Sequence, residues 1–112
     1  MVQAGVLDEL RIDYVLGLHL WSYLPRGQAI IPDGTVMASA DEFHITLRGK
    51  GGHGALPHLA QDVVVGLAQT ISALQTVVSR NVDPLKPAVL TIGHVAAGSA
   101  PNVLPESAVL HG

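Results

Sequence analysis

The sequence predicts an α+β fold with the element order β-α-β-β, which is the larger part of a ferredoxin-like split βαβ domain. Three observations predict it: an alternating strand after Asp41, a helical apolar repeat between Asp62 and Arg80, and two strand-like runs after that helix. One more helix and one more strand would complete the fold. With 112 residues, 48% hydrophobic and 13% charged, the chain has room for one modest core and not for two.

The first 40 residues indicate the edge of a different domain. A partial helical turn is predicted over Leu7–Leu10, with Gly5 as a stop signal. Residues 14–21 then form a nearly unbroken apolar run, as in a strand covered on both faces of an α/β sheet. We therefore assign residues 1–40 to the edge of an α/β domain and residues 41–112 to a second domain.

The second domain opens with a strand and a long helix. Apolar and polar residues alternate over 43–48, the pattern of a strand with one buried face. The loop Gly49–Gly54 follows, and its glycines permit close backbone approaches. From Asp62 to Arg80 apolar residues recur at helical spacing, with an acidic residue first and a basic residue last, as the helix dipole favours.

One face of this helix is unusual because no charged residue occurs from Val63 to Ser79. A solvated helix face normally carries charges. Either this face packs against another helix or another subunit, or it is an exposed surface of small neutral residues. The sequence leaves both interpretations open.

Two further strands are predicted after the helix. Ala88–Val95 is rich in apolar and β-branched residues and follows the turn signals of Pro84 and Pro87. A loop is predicted over 96–101 and a last strand over 107–111. Together with the strand at 43–48, these runs supply the sheet on which the helix would pack.

Composition argues against several classes of function. The six basic residues are scattered along the chain among nine acidic ones, so the net charge of −3 offers no basic surface for nucleic acid or an anionic membrane. The absence of cysteine excludes disulfides, thiolate nucleophiles and Cys-containing zinc sites within this chain. There is no run of about 18 apolar residues and no signal-peptide pattern. We therefore expect a cytoplasmic protein with no nucleic-acid or membrane partner.

Two of the six histidines are candidates for chemistry. His19 lies at the end of the predicted buried strand, where open α/β sheets place ligands and metals; a buried histidine bonded to backbone is the alternative. His53 lies among four glycines, where backbone and ring donors suit a developing oxyanion; an exposed turn residue is the alternative. No His-x-x-x-His pair lies on a predicted helix, so a self-contained site of that kind is absent.

Several spaced segments together resemble the M20 metallopeptidase family, and most closely its amidohydrolase branch of hippurate, N-acyl-amino-acid and auxin-conjugate hydrolases. The resemblance runs over essentially the whole chain. It implies a metal-binding α/β catalytic domain with an inserted lid/dimerisation domain, of which this chain would hold the last catalytic strand and most of the lid. The segments are Gly17–Trp21, Gly49–Pro57, Asp62, Gln75 with Ser79 and Arg80, and Asn102–Pro105.

The resemblance also implies roles for individual residues. His19 would be a ligand to one of two divalent ions, zinc or manganese, in the full-length enzyme. His53 would reach the partner subunit's active site and stabilise the tetrahedral intermediate, and Asn102 would bind substrate. Gly52 and Gly54 would let the loop approach the substrate. The family's other metal ligands and its general-base carboxylate are absent here, so we expect this chain to be inactive alone.

The expected activity is hydrolysis of the amide bond of a small N-acyl amino acid by a metal-activated water. The expected partner is a second copy, bound through the lid helix and a sheet edge. The alternative is a non-catalytic dimerisation module with no chemistry. Under either hypothesis we expect the isolated chain to self-associate, because it would present an apolar sheet surface and an open edge.

Overall fold

A computed structural model describes residues 2–9 and 11–112 and divides the chain into two compact units, one up to Ala38 and one from Ser39 to Gly112. The first unit has a 3-10 turn, Val2–Ala4, and a short helix α1, Val6–Glu9. Helix α1 overlaps the predicted turn over Leu7–Leu10, of which Leu10 lies outside the described residues.

The predicted strand over residues 14–21 is wrong for this unit. None of the described residues up to Ala38 forms a β-strand, and the apolar side chains of the run are exposed, Leu16 to 97%. A strand needs neighbouring strands to satisfy its N–H and C=O groups. This unit supplies no such neighbours, so the apolar run has nothing to cover it.

The second unit contains a three-stranded antiparallel sheet. Its strands are β1 (His44–Arg48), β3 (His94–Ala97) and β5 (Ser107–His111), in the spatial order β1-β5-β3. The predicted bounds of β3, 88–95, are wrong. The chain reaches the sheet only at Gly93, whose N–H donates to the carbonyl oxygen of His111 at 3.1 Å.

Helix α2 (Val63–Asn81) lies on one face of this sheet and confirms the helical repeat in the sequence. The helix begins after Asp62, whose Oδ1 accepts hydrogen bonds from the N–H groups of Val64 at 2.9 Å and Val65 at 3.3 Å. Helix α2 packs against β1 and β5 and leaves β3 uncovered, so Val95 stays 46% exposed. The buried core is Val63, Leu67, Ala108 and Leu110, flanked by Phe43, Ile45, Leu47, Ile71, Leu74 and Ile92.

By length and composition alone, α2 is apolar enough to cross a membrane. Val63 and Leu67 are nevertheless buried against the sheet, which is what a core helix of a folded domain does. The helix therefore gives only weak support for a membrane span.

A second, two-stranded ribbon joins the loops at one end of the unit. Strand β2 (Gly52–His53) pairs antiparallel with β4 (Val103–Leu104). Runs of two residues have no periodicity that a sequence pattern reveals. The unit as a whole is a mixed α+β structure, with one helix on an antiparallel sheet.

Candidate functional site

The glycine-rich loop after β1 is fixed by backbone hydrogen bonds on both sides. The N–H of Gly49 donates to the carbonyl oxygen of Glu106 at 2.9 Å, and the N–H of Gln61 donates to that of Lys50 at 2.8 Å. The loop thus runs between the start of β5 and the segment that leads into α2. These backbone hydrogen bonds fix the path of the loop without any ligand.

The glycines of this loop are required by close packing. A Cβ at Gly49 would lie 2.6 Å from the carbonyl oxygen of Gln61, and a Cβ at Gly51 would lie 2.8 Å from that of Leu104. A Cβ at Gly54 would lie 3.1 Å from the carbonyl oxygen of Asn102. Backbone atoms cannot move aside as the end of a flexible side chain can. A structural reason for these glycines therefore exists independently of substrate.

His53 lies at the end of β2 with its side chain exposed. Its Nδ1 accepts a hydrogen bond from the N–H of Ala55 at 3.1 Å, and its carbonyl oxygen accepts one from the N–H of Leu56 at 2.8 Å. A ring nitrogen that accepts a hydrogen bond carries no proton, so the neutral ring carries its proton on Nε2. The ring therefore offers an N–H donor at its outer end.

The ribbon brings four of the predicted site residues together. Gly52 and His53 lie on β2, opposite Leu104 and Val103 of β4. The N–H of Gly54 donates to the carbonyl oxygen of Asn102 at 2.8 Å. Asn102 is exposed, as is His53. His53 and Asn102 are 49 residues apart in the chain, and only the pairing of β2 with β4 makes them neighbours.

His19 belongs to the first unit. Its ring is exposed and stacks on Trp21, with the centroids 4.3 Å apart and the planes at 27°. It is therefore not the buried histidine that the predicted strand required. Among residues 3–7 and 11–112, whose side chains the structure describes, no three His, Asp or Glu side chains are grouped as one metal ion requires. The described residues do not by themselves fit the family's metal site, and His19 offers one ligand at most.

A cleft in the second unit does not contain these residues. It has a volume of about 480 Å³ and lies between the start of α2 and the turn that connects β3 to β4. Neither His53 nor Asn102 lines it.

Three further histidines form a cluster that the sequence did not indicate. His44 on β1 and His94 on β3 both lie opposite His111 on β5, with ring centroids 4.1 Å and 5.0 Å from that of His111. Burial, and then the charges of His44 and His94, lower the pKa of His111 from its ordinary value of 6.5. The three histidines become neighbours only through the register of β1, β3 and β5. That register cannot be read from the sequence before the strand pairing is known.

Comparison with known proteins gives relatives over the whole chain. It is 50% identical over 112 residues to an N-acyl-L-amino acid amidohydrolase of Geobacillus stearothermophilus and 43% identical to an N-acetyldiaminopimelate deacetylase of Bacillus subtilis (strain 168). It covers 30% of each, so the chain spans about a third of the length of these curated relatives.

A solved structure is similar as well. A protein described as an aminohydrolase from methicillin resistant Staphylococcus aureus matches with a TM-score of 0.62 at 39% identity, over 63% of this chain and 19% of that one. The profile of the M20 peptidase dimerisation domain matches residues 38–112, which hold the helix, both sheets and the His53 loop. The chain therefore belongs to the M20 peptidase family, and residues 38–112 are its dimerisation domain.

Proposed function

We propose that this chain is part of a metal-dependent amidohydrolase that cleaves the amide bond of N-acyl amino acids, with His53 as an oxyanion donor in the partner subunit's active site. The observation that carries the proposal is the geometry of His53, an exposed ring whose neutral form has its N–H at Nε2. The relatives named as an N-acyl-L-amino acid amidohydrolase and as deacetylases support the substrate class.

A donor of this kind is useful only where water is excluded. Oxyanion stabilisation is large when a preorganised donor acts in a site of low dielectric, and small in open water. His53 is exposed, and it does not line the cleft between the start of α2 and the turn from β3 to β4. Its hydrogen bond to an oxyanion would therefore be strong only when another surface covers the ring and excludes water. A second subunit, bound through the dimerisation domain, would supply that surface.

The chemistry asked of His53 is hydrogen bonding without proton transfer. When water adds to an amide, negative charge develops on the carbonyl oxygen, and Nε2–H would donate to it. The N–H of Ala55 at Nδ1 holds the ring in this tautomer. The carboxamide of Asn102, close to the same ribbon, would bind the substrate's carboxylate end or the reacting group, while Gly52 and Gly54 would let the loop approach the substrate.

The metal belongs to the same proposal. Membership of the family implies divalent metal ions in the complete enzyme, zinc or manganese, with His19 as one ligand. The described residues form no group of three ligands, so the remaining ligands would come from other parts of the complete enzyme. We also propose that the complete enzyme is cytoplasmic.

The domain assignment is proposed on the same basis. Residues 1–40 would be the edge of the catalytic domain, and residues 41–112 would be the lid, of ferredoxin-like split βαβ type. The uncovered inner face at Val95 supports this assignment, because a second helix of such a fold would pack there.

The test uses the complete polypeptide that carries this chain, assayed on N-acetyl amino acids. His53→Ala should lower kcat by about 10²–10³-fold, the cost of losing one oxyanion donor, with little change in KM or in bound metal. His58→Ala is the matched control, because His58 is also exposed and lies five residues away in the same loop region. Unchanged turnover in His53→Ala would show that His53 has no such role.

A non-catalytic dimerisation module is the second candidate, and one observation favours it. The uncharged face of α2 is exposed, with Val65 at 54%, and such a face suits a helix that packs on another subunit. Dimerisation through α2 and a sheet edge is common to both candidates. They differ in activity, since the module hypothesis expects no hydrolysis of any N-acyl amino acid by the complete polypeptide.

A further inference from the structure

Three imidazoles lie side by side across the whole width of the main sheet. His111 on the central strand has His44 on one side and His94 on the other, in directly opposed positions of the register. The His44 and His111 rings lie at 54° with centroids 4.1 Å apart, and the His94 and His111 rings lie at 45° with centroids 5.0 Å apart. We call these three residues the histidine row.

The histidine row lies on the face of the sheet opposite α2. Ile45 and Leu110, next to His44 and His111 in the chain, pack into the core, so the alternating histidines point away from it. His44 and His94 are exposed and His111 is half-buried. Helix α2 therefore brings no charged group to the row.

Few charges share this face. The adjacent cross-strand row consists of Thr46, Val109 and Ala96, which do not ionise. Arg48 lies two rows away, opposite Ser107, and would add to the repulsion of any protonated ring. Glu42, two residues before His44 in the chain, is exposed and precedes strand β1. No carboxylate figures among the causes of the lowered pKa of His111, which are burial, His44 and His94.

The row differs from a metal site in its geometry. Its rings follow one another in a line across three strands, whereas a metal ion needs its ligands around a common centre. The described part of the chain has no such group of three ligands. Proton binding needs no common centre, so it is the chemistry that this arrangement offers without rearrangement.

We propose that the histidine row is a proton-sensitive clamp on the main sheet, which holds when its imidazoles are neutral and weakens when they are protonated. Like charges on directly opposed residues destabilise strand pairing. Protonation would place up to three positive charges across β1, β5 and β3. Strand β1 leads directly into the loop of His53, so a weakened β1 would also loosen that loop.

The direction of the effect follows from the pKa of His111. Folding lowers it, so between pH 6.5 and the folded value the unfolded chain binds more protons than the folded chain. The contribution of His111 to stability should be fully present above pH 6.5, fall as the pH drops below 6.5, and level off below the folded pKa of His111. Each pKa unit of difference corresponds to a tenfold loss in the ratio of folded to unfolded chain.

The first experiment is a titration of the 112-residue chain followed by the NMR signals of the imidazole Cε1–H groups between pH 5 and 8. The midpoint of His111 should lie below 6.5, the ordinary value of an imidazole. His44→Gln should raise the midpoint of His111, because it removes the nearest like charge, and His58→Gln should not move it. A midpoint of His111 at or above 6.5, or no response to His44→Gln, would overturn the proposal.

The second experiment measures urea unfolding of the same chain at pH 7.5 and pH 5, a range in which most carboxylates stay ionised. The folded-to-unfolded ratio of the unsubstituted chain should fall between these values, and His111→Gln should remove most of that fall. If His111→Gln does not fold, His94→Gln replaces it in the same measurement. Because the side chain of His94 is exposed, we expect this variant to fold. A pH dependence identical to that of the unsubstituted chain in these variants would refute the clamp.

Discussion

Substitution of the loop glycines distinguishes close packing from substrate approach as the reason for their presence. In this structure a Cβ at Gly51 would lie 2.8 Å from the carbonyl oxygen of Leu104 and 2.9 Å from Cγ of Glu106. A Cβ at Gly54 would lie 3.1 Å from the carbonyl oxygen of Asn102. At Gly93 a Cβ would meet nothing within 4 Å.

These distances predict a graded loss of stability. Gly51→Ala forces backbone atoms of β2 and β4 apart, and overpacking of this kind costs about 1–3 kcal/mol. Gly54→Ala requires a shift of only a few tenths of an ångström, so we expect a cost of about 1 kcal/mol or less. At Gly93 the new Cβ would meet no atom within 4 Å. Gly93→Ala lowers the conformational entropy of the unfolded chain, so it should be neutral or stabilise the fold by about 0.4–1 kcal/mol.

Thermal unfolding followed by circular dichroism measures this series. For a domain of this size each kcal/mol shifts Tm by about 4–8 °C. Tm should therefore be lowest for Gly51→Ala, intermediate for Gly54→Ala and highest for Gly93→Ala. Equal melting temperatures for all three variants would refute the packing argument and leave substrate approach as the reason for Gly51 and Gly54.

Two more predictions concern α2. Asp62→Ala removes the acceptor for the N–H groups of Val64 and Val65, and it should lower the free energy of unfolding in urea by about 0.5–2 kcal/mol. Asp62→Asn retains a capping oxygen and should lower it little. Equal losses for the two variants would show that Asp62 does not cap α2. Val65→Glu places a charge on the exposed uncharged face and should weaken self-association about tenfold or more in light scattering, while Leu85→Glu, outside the helix and 91% exposed, should not. A chain that is monomeric at high concentration without any substitution would contradict the interface.

The elements that the sequence predicted correctly are those with a local signal. The apolar repeat from Asp62 to Arg80 became α2, with Asp62 as its cap. The alternation over 43–48 became β1, with Ile45 and Leu47 towards the core. In both cases the spacing of apolar residues along a short segment determines which face is buried, so no distant contact is needed to read it.

The strand predicted over residues 14–21 failed for the opposite reason. Its composition fits a buried strand, yet composition provides no partner for its backbone groups, and Leu16 is almost fully exposed here. The bounds of β3 shifted from 88–95 to His94–Ala97 for a related reason. Apolar character began at residue 88, whereas the hydrogen bonds to β5 begin at Gly93.

The sequence by itself therefore determined the α+β class, the helix and its cap, the first strand, and the spaced segments that resemble the M20 family. Only the tertiary structure decided that Asn102 lies beside the His53 loop, that the loop glycines pack against backbone, and that His44, His94 and His111 form one row. The physical reason is that helices and alternating strands are encoded by neighbours in the chain. Strand register and close backbone approach depend instead on residues that are tens of positions apart and meet only in the folded state.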